Sequence, residues 1–260
     1  MFPFIYIGDI EIRTHFILTL TGIIIGFLFL FYNIRNLDRK VKTSIILLAL
    51  LIFIPFFVGG WMGYEIETFL NDKKICITKN SLFESFSLIW GLGFSTICAF
   101  LLAKMLKLNV WFVADIFSFS IFSGGFFVKL GCFFNGCCFG IPCPDNFPFG
   151  IYYPFNSYPQ ILFGDLRLFP SPLFESLAFL VVLFFIILRK KYKLFEGELI
   201  ILSFFLFSIL RFIIEFSRFH PITTFFSLGQ IFSLIIFVIS IIAYIYRYNN
   251  HKHNKKLDKT

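Results

Sequence analysis

Three ionisable residues interrupt a long apolar segment near the C-terminal end of the chain. Arg211, Glu215 and Arg218 are spaced i, i+4 and i+7, so in a helix they share one face. A charged side chain inside a membrane helix costs several kcal/mol and normally faces a polar cavity. Two interpretations follow. Either an Arg–Glu pair links neighbouring helices, or the face binds an anionic ligand, with the Arg211 guanidinium forked onto phosphate oxygens.

A second cation, Lys129, closes another apolar segment and is followed by a run rich in small residues, Gly131 to Gly140. Its simplest interpretation is a side chain that reaches from the membrane to the interface. The alternative is a shared site, because Lys129 and Arg211 are predicted to lie at the same depth, near the level of phospholipid phosphates.

A carboxylate, Glu175, follows the segment Pro170-Ser171-Pro172. This order is typical of a helix start, with Ser171 as the cap and Pro172 as the first helical residue. Glu175 then lies in the first turn, where the helix dipole favours a negative charge. The rival interpretation is that Glu175 binds Arg211 or Arg218 across the helix bundle.

Four of the six cysteines form a cluster with the spacing C-x4-CC-x4-C, namely Cys132, Cys137, Cys138 and Cys143. A structural disulfide or simple packing is favoured over a reactive thiol. The spacing fits no common zinc pattern and no histidine is near in sequence, so we expect no metal and no cofactor. The four histidines do not support a Ser-His-Asp arrangement.

The composition of the chain indicates a membrane protein. Of its 260 residues, 58% are hydrophobic and 15% charged, whereas a soluble domain has about a quarter charged. Apolar runs long enough to span a bilayer predict an all-α protein with about seven transmembrane helices, and the absence of alternation argues against strands. The runs lie at 15–33, 44–63, 86–106, 111–131, 172–188, 198–217 and 225–246.

The distribution of positive charge predicts the topology. The net charge of +8 arises from clusters between apolar runs, which favours a topological role over nucleic-acid binding. With the N-terminus outside, fifteen Lys and Arg residues face the cytoplasm and seven face outward. We therefore expect one transmembrane domain over residues 1–246, a long outer loop at about 132–171, and a polar, disordered cytoplasmic tail over 247–260.

Four motifs, in this order and on the outer side, resemble the bacterial prolipoprotein diacylglyceryl transferase family. Two further segments, Gly8 to His15 and Gly59 to Tyr64, are similar more weakly. The four motifs are Lys129-Leu-Gly-Cys-Phe-Phe-Asn135-Gly136, Pro170-Ser-Pro-Leu-Phe-Glu175, Arg211-Phe-Ile-Ile-Glu215-Phe-Ser-Arg218 and Ser227-Leu-Gly-Gln230-Ile231.

The resemblance implies a seven-helix protein of the bacterial inner membrane. It implies a reaction that moves the diacylglyceryl group of phosphatidylglycerol onto the lipobox cysteine thiol of a prolipoprotein and releases glycerol phosphate. By resemblance, Arg211 and Lys129 bind the phosphate, Asn135 provides a hydrogen bond, and Glu215 orients Arg211. The same resemblance makes the following residues candidates for substrate binding: Gly131, Gly136, Ser171, Glu175, Arg218 and Gln230.

The chain departs from the family pattern at several polar positions. Lys129, Cys132, Cys137, Trp61 and Phe169 stand where the family has Arg, Asn, Glu, Arg and His. The segment Trp90 to Thr96 lacks the histidine that the family carries there. The loop cysteines could replace lost contacts with a disulfide or supply a thiol. The alternative function is therefore a non-catalytic relative that binds phospholipid or lipoprotein. A transporter is disfavoured because few ionisable residues fall at mid-bilayer.

Overall fold

The computed structural model describes residues 4–7, 10–72, 88–155, 157–220 and 226–257. The chain divides into two compact units, one formed by Met1–Asn33 with Ala114–Thr260 and the other by Ile34–Val113. The described helices are α1 (Thr14–Ile34), α2 (Arg39–Leu51), α3 (Phe53–Asp72), α4 (Leu88–Met105), α5 (Val110–Asn135), α6 (Tyr158–Phe163), α7 (Ser171–Arg189), α8 (Glu198–Glu215) and α9 (Leu228–Leu257), with a 3₁₀ turn at Lys190–Tyr192.

A short antiparallel hairpin precedes α1, and it corrects the expectation that the chain has no strands. Strand β1 (Phe4–Ile7) pairs with β2 (Ile10–Arg13), with Phe4 opposite Arg13 and Ile7 opposite Ile10. The sequence carries a signal for it, since two short β-branched and aromatic segments flank the dipeptide Gly8-Asp9. That dipeptide itself lies outside the described residues.

The expectation of a multi-pass all-α membrane protein is confirmed. Within the part of the chain that the structure describes, five helical segments are long and apolar enough to cross a bilayer, and they match five of the seven predicted runs: Thr14–Ile34, Arg39–Ile66, Val110–Asn135, Ser171–Tyr192 and Leu228–Lys255. The run at 86–106 corresponds to α4, whose described apolar part, Trp90–Met105, is shorter. The run at 198–217 corresponds to the 18-residue helix α8, which contains Glu198, Arg211 and Glu215.

Helices α1 and α5 approach closely because small residues line both. A Cβ added at Gly22 would lie 2.9 Å from the Gly124 carbonyl oxygen, so a side chain there would separate the helices. Gly26 follows Gly22 at i+4, the spacing that suits close packing in membranes. Its carbonyl accepts a hydrogen bond of 2.7 Å from Ser120 Oγ.

The apolar core of the first unit joins α5, α7 and α8. Its buried members are Phe119, Phe122, Val182, Leu183, Ile186 and Leu199. Ser176 Oγ of α7 donates a hydrogen bond of 3.1 Å to the Phe126 carbonyl of α5. These contacts fix the three helices whose other ends carry Lys129, Glu175 and Arg211.

The start of α8 is held by two buried carboxylates to which the sequence had assigned no role. Asp115 of α5 accepts hydrogen bonds from the backbone N–H groups of Gly197 at 2.7 Å and Ile200 at 3.0 Å. Glu198 accepts one from Arg189 Nε at 2.9 Å. Asp115 thus satisfies N–H donors that a helix start leaves without intrahelical partners, and Glu198 links the start of α8 to the end of α7, so the role of both is structural.

In the second unit, the predicted span 44–63 corresponds to one apolar segment that an interruption at Ile52 divides into α2 and α3. Pro55 has no N–H to offer the turn before it, which accounts for the break. Within α3, a Cβ at Gly59 would lie 2.5 Å from Phe94 Cβ, and one at Gly63 would overlap Trp90, so both glycines allow α4 to pack closely. Lys73, Lys74 and Lys79, assigned to the outer side, lie outside the described residues.

The C-terminal segment differs from the disordered tail expected from its polarity, since α9 continues to Leu257. Arg247 Nη2 donates a hydrogen bond of 2.9 Å to the Glu196 carbonyl, and the His251 ring packs against Phe195. Polarity alone therefore misled the prediction, because residues 247–257 contain no Gly or Pro to end the helix.

The predicted outer loop lies between α5 and α7 and is folded in its described part. Arg167 donates hydrogen bonds of 2.9 Å to the carbonyls of Phe147 and Gly150. Phe139, Tyr153 and Leu168 of the loop form a small buried apolar cluster. The described part of the loop is therefore held in a defined conformation by its own hydrogen bonds and apolar contacts.

Candidate functional site

The centre of the site is the carboxylate of Glu175, which three cations from other segments contact. Its Oε2 lies 2.5 Å from Lys129 Nζ of α5. Its Oε1 lies 2.9 Å from Arg211 Nε of α8 and 3.1 Å from Arg218 Nη1. The interpretation of Glu175 as a partner of Arg211 and Arg218 is therefore confirmed, and the first-turn role is not, because Glu175 is the fifth residue of α7.

A second carboxylate, Glu215, extends this network at the end of α8. Its Oε2 pairs with Arg211 Nη1, as the i, i+4 spacing predicted. Its Oε1 accepts a hydrogen bond of 2.8 Å from Ser227 Oγ and lies 3.1 Å from His220 Nε2. Glu215 thus fixes the orientation of the Arg211 guanidinium from one side while Glu175 fixes it from the other.

The prediction that Lys129 and Arg211 meet at one place is confirmed, since both contact the same carboxylate. Three cations and two carboxylates give the cluster a net charge of +1. The side chains of Lys129, Arg211 and Arg218 are 15%, 18% and 22% exposed, whereas those of the two carboxylates are 1–2% exposed. The positive groups are therefore the part of the cluster that an incoming ligand can reach.

Ser171 does not cap α7, contrary to the expectation. Its hydroxyl donates a hydrogen bond of 3.0 Å to the Ser217 carbonyl, and Pro170 occupies the cap position. Beside it, the Ile141 N–H donates to the same carbonyl at 3.0 Å, and Gly140 pairs with Arg218. Ser171 therefore holds the chain that leads from α8 to Arg218.

Gln230 serves as a cap for α9 and acts on the site through Ser227. Its Oε1 accepts a hydrogen bond of 3.0 Å from the Ser227 N–H, and its own N–H donates to Ser227 Oγ at 3.1 Å. This reciprocal pair is a capping box. It orients the Ser227 hydroxyl that binds Glu215.

Gly229, which lies between Ser227 and Gln230, leaves space for the Glu215 carboxylate. A Cβ at this position would overlap Oε1 and lie 2.5 Å from Cδ of Glu215. We expect Gly229→Ala to displace this buried, fully engaged carboxylate at a cost of about 1–3 kcal/mol. The unfolding midpoint of the detergent-solubilised protein should fall by about 5 °C.

The matched control is Gly93→Ala in α4, where an added Cβ would meet no atom within 4 Å. Its unfolding midpoint should stay the same or rise, because alanine is the better helix former. Equal midpoints for the two variants would mean that Gly229 does not leave space for Glu215.

The remaining residues of the Lys129 motif shape the end of α5. Gly136 has φ +71°, its N–H bonds to the Phe133 carbonyl, and the Cys137 N–H bonds to the Cys132 carbonyl. This is a Schellman ending, which requires the left-handed conformation that glycine tolerates.

Gly131 is buried against α1, since a Cβ added to it would lie 3.3 Å from the His15 Cα. Asn135, the last residue of the helix, is exposed beside Cys137 and lies apart from Glu175 and Glu215 in the described contacts.

Three of the four clustered cysteines come together next to this helix end. Their Sγ atoms, those of Cys132, Cys137 and Cys138, lie within 4.8 Å of one another, and all are free thiols. Cys143 is also a free thiol and lies instead beside Gly150. Hydrogen bonds with Cys132 and Cys137 lower the pKa of the Cys138 thiol, and the nearby Arg218 and Lys129 cations lower it further.

The sequence interpretation missed the two histidines that lie at the site. His220 contacts Glu215, and His15 Nε2 lies 3.7 Å from Cys132 Sγ. His220 is only five residues beyond Glu215, which was the available signal. No local signal links His15 to Cys132, because 117 residues separate them.

These features define a multi-pass membrane protein with a cluster of five charged residues among its helices. The sequence model of the prolipoprotein diacylglyceryl transferase family matches residues 3–246. The chain therefore belongs to this family.

Curated relatives named phosphatidylglycerol–prolipoprotein diacylglyceryl transferase include proteins of three Campylobacter species. The Campylobacter hominis protein is 31% identical over 169 residues, which are 63% of this chain and 56% of the relative. The Campylobacter lari protein is 32% identical, with 60% and 56% covered, and that of Campylobacter jejuni strain RM1221 is 34% identical, with 57% and 53% covered. The chain thus spans little more than half the length of the curated relatives it matches.

Proposed function

We propose that this protein transfers the diacylglyceryl group of phosphatidylglycerol to the lipobox cysteine thiol of a prolipoprotein, in the bacterial inner membrane. The observation that carries the proposal is the convergence of Lys129, Arg211 and Arg218 on Glu175, in a cluster to which Glu215 gives a net charge of +1. A phosphodiester carries one negative charge, so the cluster complements it. In this proposal residues 1–246 form the transmembrane domain with the N-terminus outside, and residues 247–260 form the cytoplasmic tail.

The cations would act mainly on the leaving group. The thiolate sulfur attacks the glyceryl carbon that carries the phosphate, a C–S bond forms, and the C–O bond to phosphate breaks. The departing glycerol phosphate gains one negative charge, which an electrostatic site stabilises more strongly than it does the starting lipid. Arg211 suits this role because its contacts with Glu175 and Glu215 use Nε and Nη1, and Nη2 offers two further donors.

His220 is our candidate for the group that accepts the thiol proton. His220 Nε2 lies 3.1 Å from Glu215 Oε1, and a neutral imidazole keeps a lone pair on one ring nitrogen that can accept a proton. The thiolate is the nucleophile, so this step must precede or accompany attack. The anionic Glu215 carboxylate at this distance would stabilise the imidazolium that forms when the ring accepts the proton.

The direct test of the function uses proteoliposomes that contain the purified protein and phosphatidylglycerol. A synthetic lipobox peptide should gain the mass of one diacylglyceryl group, and one glycerol phosphate should be released for each peptide modified. Phosphatidylethanolamine in place of phosphatidylglycerol measures lipid selectivity. Folded protein that binds phosphatidylglycerol but never modifies the peptide would favour the non-catalytic, lipid-binding alternative.

We expect His220→Gln to lower kcat about a hundredfold, because the amide can still bind Glu215 but accepts no proton. The KM for phosphatidylglycerol should change by less than about threefold, since the cations are intact. Raising the pH toward 9 should recover much of the rate, because a free cysteine thiol ionises near pH 8.5 without a base.

The control is His251→Gln, whose ring packs against Phe195 at the other end of the first unit. It should keep the full rate and the pH profile of the unmodified protein. A His220→Gln variant with a low rate at every pH would indicate a structural role for His220 instead.

A further inference from the structure

We propose that Cys132, Cys137 and Cys138, together with His15, bind a zinc ion next to the charged cluster. This inference is independent of the proposed transfer reaction. The three sulfur atoms lie within 4.8 Å of one another, and His15 Nε2 lies 3.7 Å from Cys132 Sγ. Three thiolates and one imidazole are a common ligand set for a closed, four-coordinate zinc site.

The spacing of these atoms suits tetrahedral coordination. With Zn–S bonds of about 2.3 Å and Zn–N bonds of about 2.0–2.1 Å, neighbouring ligand atoms in a tetrahedron lie roughly 3.5–3.8 Å apart. The distance of 3.7 Å between His15 and Cys132 falls in this interval. The sulfurs lie within 4.8 Å of one another, so side-chain rotations that shorten these separations by up to ~1 Å would bring them to the same spacing.

The backbone explains how a linear spacing of C-x4-CC forms a compact set. Helix α5 ends at Asn135, Gly136 adopts φ +71°, and the Cys137 N–H returns to the Cys132 carbonyl. Cys138 then has φ +58°, an uncommon conformation for a residue other than glycine. Two successive reversals thus direct both loop thiols back over the thiol of Cys132, an arrangement that the sequence spacing did not predict.

The fourth ligand comes from α1 because α5 carries a glycine where the helices meet. A Cβ at Gly131 would lie 3.3 Å from both the Cα and Cδ2 of His15. The absence of a side chain there lets the imidazole approach the neighbouring Cys132. His15 is the second residue of α1 and follows the hairpin directly, so a metal would join the N-terminal segment to the end of α5.

Binding converts the thiols to thiolates and releases three protons, which gives a complex with a net charge of −1. The electrostatic surroundings favour that charge, since Lys129 and Arg218 act on Cys138 as nearby cations. A disulfide is the competing state in an oxidising compartment. It would join only two of the three sulfurs and would give neither the third thiol nor His15 a role.

The test measures metal content in the full-length protein purified in detergent, under reducing conditions and without chelators. We expect about one zinc per chain by elemental mass spectrometry, and none above background after Cys132→Ser or Cys138→Ser. His15→Gln should weaken zinc binding at least tenfold. Cys143→Ser is the matched control and should retain one zinc, because Cys143 lies beside Gly150 and outside the trio.

Replacement by cobalt gives a readout that does not depend on transfer activity. The cobalt protein should show thiolate-to-metal absorption in the near ultraviolet and intense visible bands typical of tetrahedral sites, and Cys138→Ser should lose them. Failure of the reduced protein to take up zinc or cobalt would overturn the proposal. So would equal metal content in Cys132→Ser and Cys143→Ser, or a disulfide within the trio in freshly isolated protein that dominates over the metal-bound form.

Discussion

Arg211→Ala should lower the rate of diacylglyceryl transfer about a thousandfold, because it removes a cation that both carboxylates of the cluster orient. Loss of a preorganised donor that stabilises developing negative charge typically costs 10²–10³ in kcat, roughly 3–4 kcal/mol. Arg211 is held by Glu175 at 2.9 Å and by Glu215, so its geometry is set before lipid arrives. The effect should fall mainly on kcat, since the charge that Arg211 opposes appears as the C–O bond breaks.

A second substitution separates charge from geometry. Arg211→Lys keeps the positive charge but loses the planar fork, so we expect an intermediate loss of about tenfold to a hundredfold. Arg39→Ala, at an exposed position where α2 begins, is the matched control and should be fully active. Rates are compared in proteoliposomes after the unfolding midpoints show that each variant is folded. A folded Arg211→Ala protein with activity within twofold of the original would remove Arg211 from the mechanism.

The sequence predicted the contacts that lie within one helix and the segments that cross the membrane. The pairing of Arg211 with Glu215 follows from their spacing, because residues at i and i+4 are neighbours on a helix. The spans follow from the length of the apolar runs, which the bilayer thickness dictates. The prediction that Arg218 shares this helix face was wrong, because α8 ends at Glu215. Arg218 contacts Glu175 from the segment that follows the helix.

Contacts between distant segments were predicted only in part. The order Pro170-Ser171-Pro172 favoured a first-turn role for Glu175, whereas the packing of α5, α7 and α8 makes this carboxylate the partner of three cations. The trio of cysteines depends on two left-handed residues, Gly136 and Cys138, which spacing alone does not specify. Asn135, assigned by family resemblance, is exposed at the helix end, so its role stays a prediction.

Glu175→Gln should cause the largest loss of stability among single substitutions in the cluster. Glu175 is 1% exposed, and its carboxylate separates Lys129, Arg211 and Arg218, which would otherwise repel one another. Breaking a buried ion pair by removing one partner typically costs about 3–5 kcal/mol. For a chain of this size we therefore expect the unfolding midpoint to fall by about 10 °C.

The same substitution shows whether the cations form a phosphate site, because it raises the net charge of the cluster from +1 to +2. Because of the added positive charge, glycerol phosphate should then bind the cluster more tightly and raise the midpoint of Glu175→Gln more than that of the unmodified protein. Glu198→Gln provides the control, since Glu198 is equally buried and paired with Arg189 at the start of α8. Its midpoint should fall by a similar amount and should not respond to glycerol phosphate. An equal response from both variants would indicate unspecific anion binding, and the cluster would then be a structural feature that joins three helices without recognising lipid phosphate.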